Sequence, residues 1–296
     1  MQGTLIDVGL PVALFLIMIG MGLTLTPRDF REVLIAPKAT LYGVIAQTLL
    51  LPLLGFGLAL LLQLDPLLAV GLVVIAACPG GTTSNIFAYL AGADVALSVV
   101  LTVLASLITI VTLPLFTELA LEWFRDDAES VSLPLQRTML SLLVIVIVPL
   151  IIGMALRKWT PAFAVRAERF VGAFGLLVLV LVVAAILLSL GEEQVVTLAK
   201  QGTLLAFLLN VLGIALGLGG GRLLGIDLRQ SLTIAIELGL KNATLGLLVT
   251  LTLLHSNEMS VPSAVYGVLM FFLGGVLVLF SRRMGLSRPP LINGSG

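Results

Sequence analysis

The chain has 296 residues, 59% of them hydrophobic and only 11% charged, with sixteen basic residues balancing sixteen acidic ones. A soluble domain carries roughly 45–50% apolar and about 25% charged residues, so this chain holds more apolar side chain than one soluble core can use. Zero net charge with scattered basic residues argues against nucleic acid as a partner, and the single cysteine, Cys78, excludes an intramolecular disulfide and any multi-cysteine metal site.

Apolar runs of about 20 residues bounded by charges or turn residues predict nine membrane spans. They fall near 5 to 25, 39 to 63, 67 to 91, 95 to 121, 138 to 156, 170 to 190, 201 to 221, 230 to 253 and 261 to 281. The opening MQGTLIDVG has no basic region ahead of its apolar run and reads as the start of a first span rather than a cleaved signal. Linkers are short, the longest polar segments being 122 to 137 and 157 to 169, so residues 1 to 296 are expected to form a single domain. Asp94 is placed to cap the N-terminus of the fourth span. His255, the only histidine, falls in the polar loop HSNEMS and reads as solvated. The run Gly217 to Gly221 lacks the strand context of a nucleotide loop and fits close helix packing.

Basic residues give an orientation. Connections after odd-numbered spans hold 12 of them (Arg28, Arg31, Lys38, Arg157, Lys158, Arg166, Arg169, Arg222, Arg229, Arg282, Arg283 and Arg288), and the opposite side holds 3 (Arg125, Arg137 and Lys200). Positive residues collect on the cytoplasmic side, which places the N-terminus outside and the C-terminus inside, in a cell (inner) membrane.

Two spans are interrupted. The third carries Cys78, Pro79, Gly80, Gly81, Thr82, Thr83, Ser84 and Asn85, and the eighth carries Glu237, Leu238, Gly239, Leu240, Lys241, Asn242, Ala243 and Thr244. Taken singly, each has a bland reading as a tolerated proline kink or as glycine packing. Together they divide the chain into halves, spans 1 to 4 matching spans 6 to 9, and the odd offset of five inverts the second half. Inverted repeats with corresponding broken helices point to a secondary transporter whose site lies where the breaks meet at mid-membrane. Glu237 and Lys241 are the only charges in the eighth run. A charge at bilayer depth costs at least about 2.5–3.5 kcal/mol on insertion scales, so each is expected to face protein or a water-filled path.

The chemistry at the breaks suits a hard cation. Thr82, Thr83, Ser84 and the amide of Asn85 form one oxygen cluster, Ser98 and Thr102 share a face of the fourth span, and Glu237 adds a full negative charge. The competing reading for each Ser and Thr is hydrogen bonding between helices or to its own backbone. Gln47, midway along the second span, is a buried amide for which structural cross-linking competes with a ligand role.

The segments GMGLTLTPRDF (20 to 30), GVIAQ (43 to 47), CPGGTTSNIFAYLAGADVALSVVLT (78 to 102) and IELGLKNATLG (236 to 246) resemble the bile acid:sodium symporter family over nearly the whole chain. The resemblance implies an all-α membrane fold in its nine-span form, starting where longer members have their second helix. Spans 1, 5 and 6 (near 5 to 25, 138 to 156 and 170 to 190) would form a panel, and spans 2 to 4 and 7 to 9 (near 39 to 121 and 201 to 281) a core with two crossing broken helices. It maps a first sodium site onto Ser84, Asn85, Ser98, Thr102 and Glu237. A second site would comprise Gln47, the Glu237 carboxylate, the carbonyls of Leu238 and Leu240, and position 241. There the family motif has glutamine and this chain has Lys241. An ammonium carries donors and no acceptor, so it cannot ligate sodium. Lys241 would then stand in for the second ion beside Glu237 and Gln47, or exchange a proton during transport. The alternative is that it neutralises Glu237 for insertion and snorkels away on its long stem.

The expectation is a symporter of a small organic anion, coupled to at most one sodium ion and working by alternating access, with substrate near Thr82 and Asn242. The breaks would be supplied by Pro79, Gly80, Gly81 and Gly239. The resemblance implies bile acids in some members and small carboxylates such as pantoate or pyruvate in others. The rivals are a sodium-independent or proton-coupled anion transporter and a gated pore or sensor on the same fold. An enzyme is disfavoured, since no nucleophile and base facing water stand out. The expected partners are the substrate anion and the lipid bilayer, with no sign of an obligate protein partner.

Overall fold

A computed structural model describes residues 8–25, 36–124, 135–189 and 192–286. The described residues are helical throughout, apart from turns and one isolated backbone bridge. In chain order the helices are α1 (Leu10–Thr24), α2 (Pro37–Leu61), α3 (Pro66–Ala77), α4 (Ser84–Leu90), α5 (Val95–Phe124), α6 (Leu135–Trp159), α7 (Pro161–Ser189) and α8 (Glu192–Ala215, continuing through Gly221–Leu223). They are followed by α9 (Leu228–Gly239), α10 (Ala243–Leu253) and α11 (Asn257–Arg283). Among the described residues, five helices are long and apolar enough to cross a membrane: α2, α5, α6, the Lys200–Leu223 part of α8, and α11. Shorter apolar helices are α1, α3, Ala173–Ala185 within α7, and α10.

Local sequence sets the helix ends. The Asp65 carboxylate accepts from Leu67 N–H ahead of Pro66, and Asp227 accepts from Arg229 N–H at 2.8 Å, each capping an orphan donor at a helix start. Asp94 accepts from Leu97 N–H at 3.0 Å, which bears out its expected capping role. His255 is exposed, with φ 49°, in the turn between α10 and α11. Gly217 lies against the backbone of Ala235 and Gly221 against Ser231, so the glycine run seats α8 on α9, as helix packing requires. The polar stretch 157 to 169 is not a loop. Helix α6 runs to Trp159, the chain turns at Thr160, whose hydroxyl donates to the Leu156 carbonyl, and α7 starts at Pro161. Proline at the first helical position begins α7 within the polar segment.

Helices α1, α6 and α7 pack on one another, with Gly22 and Gly153 meeting backbone to backbone. Around α3 and α9, helices α2, α5, α8 and α11 form the larger group. The first residues of the first predicted span, position 190, residues 26–30 of the first motif and the basic residues Arg28, Arg31, Arg125 and Arg288 lie outside the described residues.

Candidate functional site

Both predicted interruptions are true breaks rather than kinks. After α3, Cys78 is extended (φ −63°, ψ 150°), as a residue preceding proline prefers, and helix resumes only at Ser84. After α9, Leu240 (φ −112°, ψ 88°) and Asn242 (φ −77°, ψ 79°) carry the chain out of helix, and the Asn242 side chain recaps it by accepting from Leu245 N–H at 3.0 Å. The two open segments cross as an antiparallel pair with Gly80 opposite Lys241. Gly81 N–H donates to the Leu240 carbonyl and Asn242 N–H to the Pro79 carbonyl, both at 2.8 Å. Each break thus satisfies backbone groups that the other leaves open. Space at the crossing is tight: a side chain at Gly80 would collide with the Glu237 carboxylate, and one at Gly81 would lie 3.0 Å from the Lys241 carbonyl oxygen.

Glu237 is fully buried on the last turn of α9. Its Oε1 lies 2.5 Å from both Ser84 Oγ and Ser98 Oγ, and its Oε2 accepts from Thr102 Oγ1 at 2.9 Å. Ser98 Oγ is also 2.9 Å from Asn85 Oδ1, Ser84 Oγ is 2.7 Å from the Gly81 carbonyl, and Thr102 Oγ1 is 3.0 Å from the Ser98 carbonyl. Each hydroxyl has one proton, so three protons face six acceptor contacts. The structure therefore brings Ser84, Asn85, Ser98, Thr102 and Glu237 into one oxygen-rich cluster with more lone pairs than donors, an arrangement suited to a hard cation.

The residues expected around a second ion are all fully buried. Gln47 is fully buried, its Nε2 donates to the Leu101 carbonyl at 3.5 Å, and its Oε1 has no hydrogen-bond partner. Lys241 is also fully buried, and its Nζ makes no hydrogen bond, so the contact with the Glu237 carboxylate expected from sequence is not made. The three hydroxyls already occupy that carboxylate. Lys241 stays within electrostatic reach of Glu237 and Cys78, and does not snorkel outward. The Leu240 carbonyl accepts from Gly81 N–H and the Leu238 carbonyl from the Tyr266 hydroxyl at 3.1 Å.

A cleft beside the crossing is lined by Thr82, Thr83 and Asn242 together with apolar residues that include Leu176, Leu179 and Phe271. Because the Asn242 side-chain oxygen is committed to Leu245 N–H, its amide NH2, a donor, is what remains for a ligand.

Sequence reasoning missed Asn210 and Tyr266. Asn210 Nδ2 donates to the Gly239 carbonyl at 2.7 Å, and the Tyr266 hydroxyl reaches both the Leu238 and Gly239 carbonyls. The signal was present: Asn210 is the one amide in an apolar run, and Tyr266 the one tyrosine of the last span.

Apolar spanning helices with two crossed breaks around a buried carboxylate define a multi-pass membrane protein with a polar centre, an arrangement suited to moving solutes rather than to covalent chemistry. The model of the Sodium Bile acid symporter family matches residues 11–198. The chain belongs to that family, one of transporters and not of enzymes. It is 35% identical over 274 residues to the uncharacterized sodium-dependent transporter YocS of Bacillus subtilis, covering 91% of this chain and 81% of that protein. It is 34% identical over 278 residues to the probable chloroplastic sodium/metabolite cotransporter BASS2 of Oryza sativa, covering 93% of this chain and 64% of that protein. It is 30% identical over 239 residues to the human ileal sodium/bile acid cotransporter, covering 80% of this chain and 67% of that protein. The chain spans about two thirds of the length of the plant relatives it matches.

Proposed function

We propose that this protein is a sodium-coupled symporter of a small organic anion, with Ser84, Asn85, Ser98, Thr102 and Glu237 as its cation site. The observation that carries the reading is the cluster itself, a buried carboxylate surrounded by hydroxyl and amide oxygens whose contacts outnumber their protons. The printed descriptions of the relatives, sodium-dependent transporter and sodium cotransporters, support sodium as the ion. Thr82 and Asn242 would receive the anion's carboxylate, since the Asn242 amide offers a donor at the start of α10. The apolar residues of the cleft would take the rest of the molecule.

The nine-span count and the panel of α1, α6 and α7 against a core of the remaining spans belong to the same reading. The packing of those three helices on one another supports it. So does a correspondence between the halves: the second span of each carries a buried amide, Gln47 or Asn210, set beside that half's own break. Alternating access would then be relative motion of panel and core about the crossing. Lys241 would supply by its field a fixed positive charge where a second ion would otherwise sit, limiting coupling to one sodium.

The test is sodium-driven uptake of a panel of carboxylates into proteoliposomes. Asn85→Ala and Thr102→Ala should each raise half-saturating sodium about tenfold, roughly the loss of one hydrogen-bond-class ligand at about 1.4 kcal/mol. Unchanged sodium dependence in both variants would withdraw the site. Orientation is tested separately. A reporter fused after Gly296 should be active in the cytoplasm, and activity only outside it would reverse the topology.

A further inference from the structure

The break after α9 leaves two particular carbonyls without their helical partners, and two side chains from other helices take them. In a continuous helix the Leu238 carbonyl would accept from Asn242 N–H, and the Gly239 carbonyl from Ala243 N–H. Here Asn242 N–H goes to the Pro79 carbonyl at 2.8 Å and Ala243 N–H to the Lys241 carbonyl at 3.0 Å. The Tyr266 hydroxyl on α11 lies 3.1 Å from the Leu238 carbonyl oxygen and 3.0 Å from that of Gly239. Asn210 Nδ2 on α8 donates to the Gly239 carbonyl at 2.7 Å. Both side chains are buried, and Tyr266 is among the largest fully buried side chains.

We propose that Tyr266 and Asn210 are positioning residues for the cation cluster. They tie down the open end of α9 one and two residues beyond Glu237. That tie sets the carboxylate against Ser84, Ser98 and Thr102, and keeps Leu240 paired with Gly81 across the crossing. Neither side chain reaches the carboxylate; they act through the backbone of Leu238 and Gly239. The consequence for ion binding rests on the reading of Glu237 as a cation ligand, whereas the tie itself does not.

Tyr42 provides an internal control, because its hydroxyl donates to the Leu216 carbonyl at 2.7 Å, the same chemistry on α8 with no hydrogen bond to either open segment. Purified full-length wild type, Tyr266→Phe, Asn210→Leu and Tyr42→Phe would be compared by amide hydrogen exchange at residues 240–242 and by thermal-stability titration with sodium chloride against choline chloride. Tyr266→Phe should speed exchange at 240–242 about tenfold and raise half-saturating sodium by a similar factor, as loss of one hydrogen bond to a buried acceptor predicts. Asn210→Leu should do the same in smaller degree, and carries the comparison if Tyr266→Phe does not fold. Tyr42→Phe should do neither. Exchange at 240–242 that is unchanged in the Tyr266 and Asn210 variants, or raised equally by Tyr42→Phe, overturns the proposal. So does faster exchange with an unaltered sodium response. A wild type indifferent to sodium counts against the cation reading alone, and the exchange comparison then decides the positioning role by itself.

Discussion

Gly80→Ala is expected to abolish sodium-stimulated transport as completely as Glu237→Gln, in a protein still inserted in the membrane. The added methyl would overlap Glu237 Oε2 and lie 3.4 Å from Gln47 Oε1. The carboxylate would have to swing out of reach of Ser84, Ser98 and Thr102, or the Gly80–Lys241 crossing would have to part. Hydrogen bonds to a charged group are worth about 1.5–3 kcal/mol each, so losing two of the three predicts a fall in apparent sodium affinity of at least about a hundredfold. Glu237→Gln keeps the shape and removes the charge, and should match it. The measurement is sodium-dependent uptake normalised to inserted protein. A Gly80→Ala variant with near wild-type sodium response would show that the crossing is looser than its contacts imply.

Lys241 gives the second large effect. Two unit charges ~4 Å apart interact by roughly 4 kcal/mol even at an effective dielectric of 20. A buried ammonium within electrostatic reach of Glu237 would therefore repel a second sodium bound at that carboxylate. On the proposed reading the wild type shows a sodium Hill coefficient of about one. Lys241→Gln supplies an oxygen and removes the repulsion, so sodium should bind more tightly and its cooperativity should rise. Lys241→Met removes the charge without an oxygen. It leaves the carboxylate with its three hydroxyl contacts and no counter-charge, and should impair stability or uptake more than Lys241→Gln. Because Lys241 Nζ makes no hydrogen bond to the carboxylate, the difference should appear in ion response before it appears in thermal stability. Identical behaviour of the two variants with unchanged sodium dependence would place Lys241 outside ion coupling.

Much of this site was legible because broken membrane helices leave local signatures. Pro79 and its glycines disfavour a continuous third span, and a carboxylate and a lysine in an apolar run mark the eighth. Ser98 and Thr102 could be placed together from helical spacing alone, and both meet Glu237. What the sequence withheld depends on backbone partners. Nothing local says that Gly80 will lie opposite Lys241, because that pairing is made by peptide groups shared by every residue type. The roles of Asn210 and Tyr266 were hidden for the same reason, since their acceptors are the carbonyls of Leu238 and Gly239. Charge complementarity suggested contact between Lys241 and Glu237, yet the three hydroxyls compete for the same carboxylate and hold it. At Arg157 to Arg169 polarity marked a linker between spans, yet helices α6 and α7 continue through most of it.

The most direct test of the account counts ions against substrate: radiolabelled sodium and a radiolabelled carboxylate taken up together by proteoliposomes under an imposed sodium gradient, and again under a proton gradient without sodium. The account predicts uptake driven by sodium alone, about one sodium entering per anion, and loss of both fluxes in Glu237→Gln. Uptake that ignores sodium and follows the proton gradient, or anion flux that survives Glu237→Gln unchanged, would contradict it.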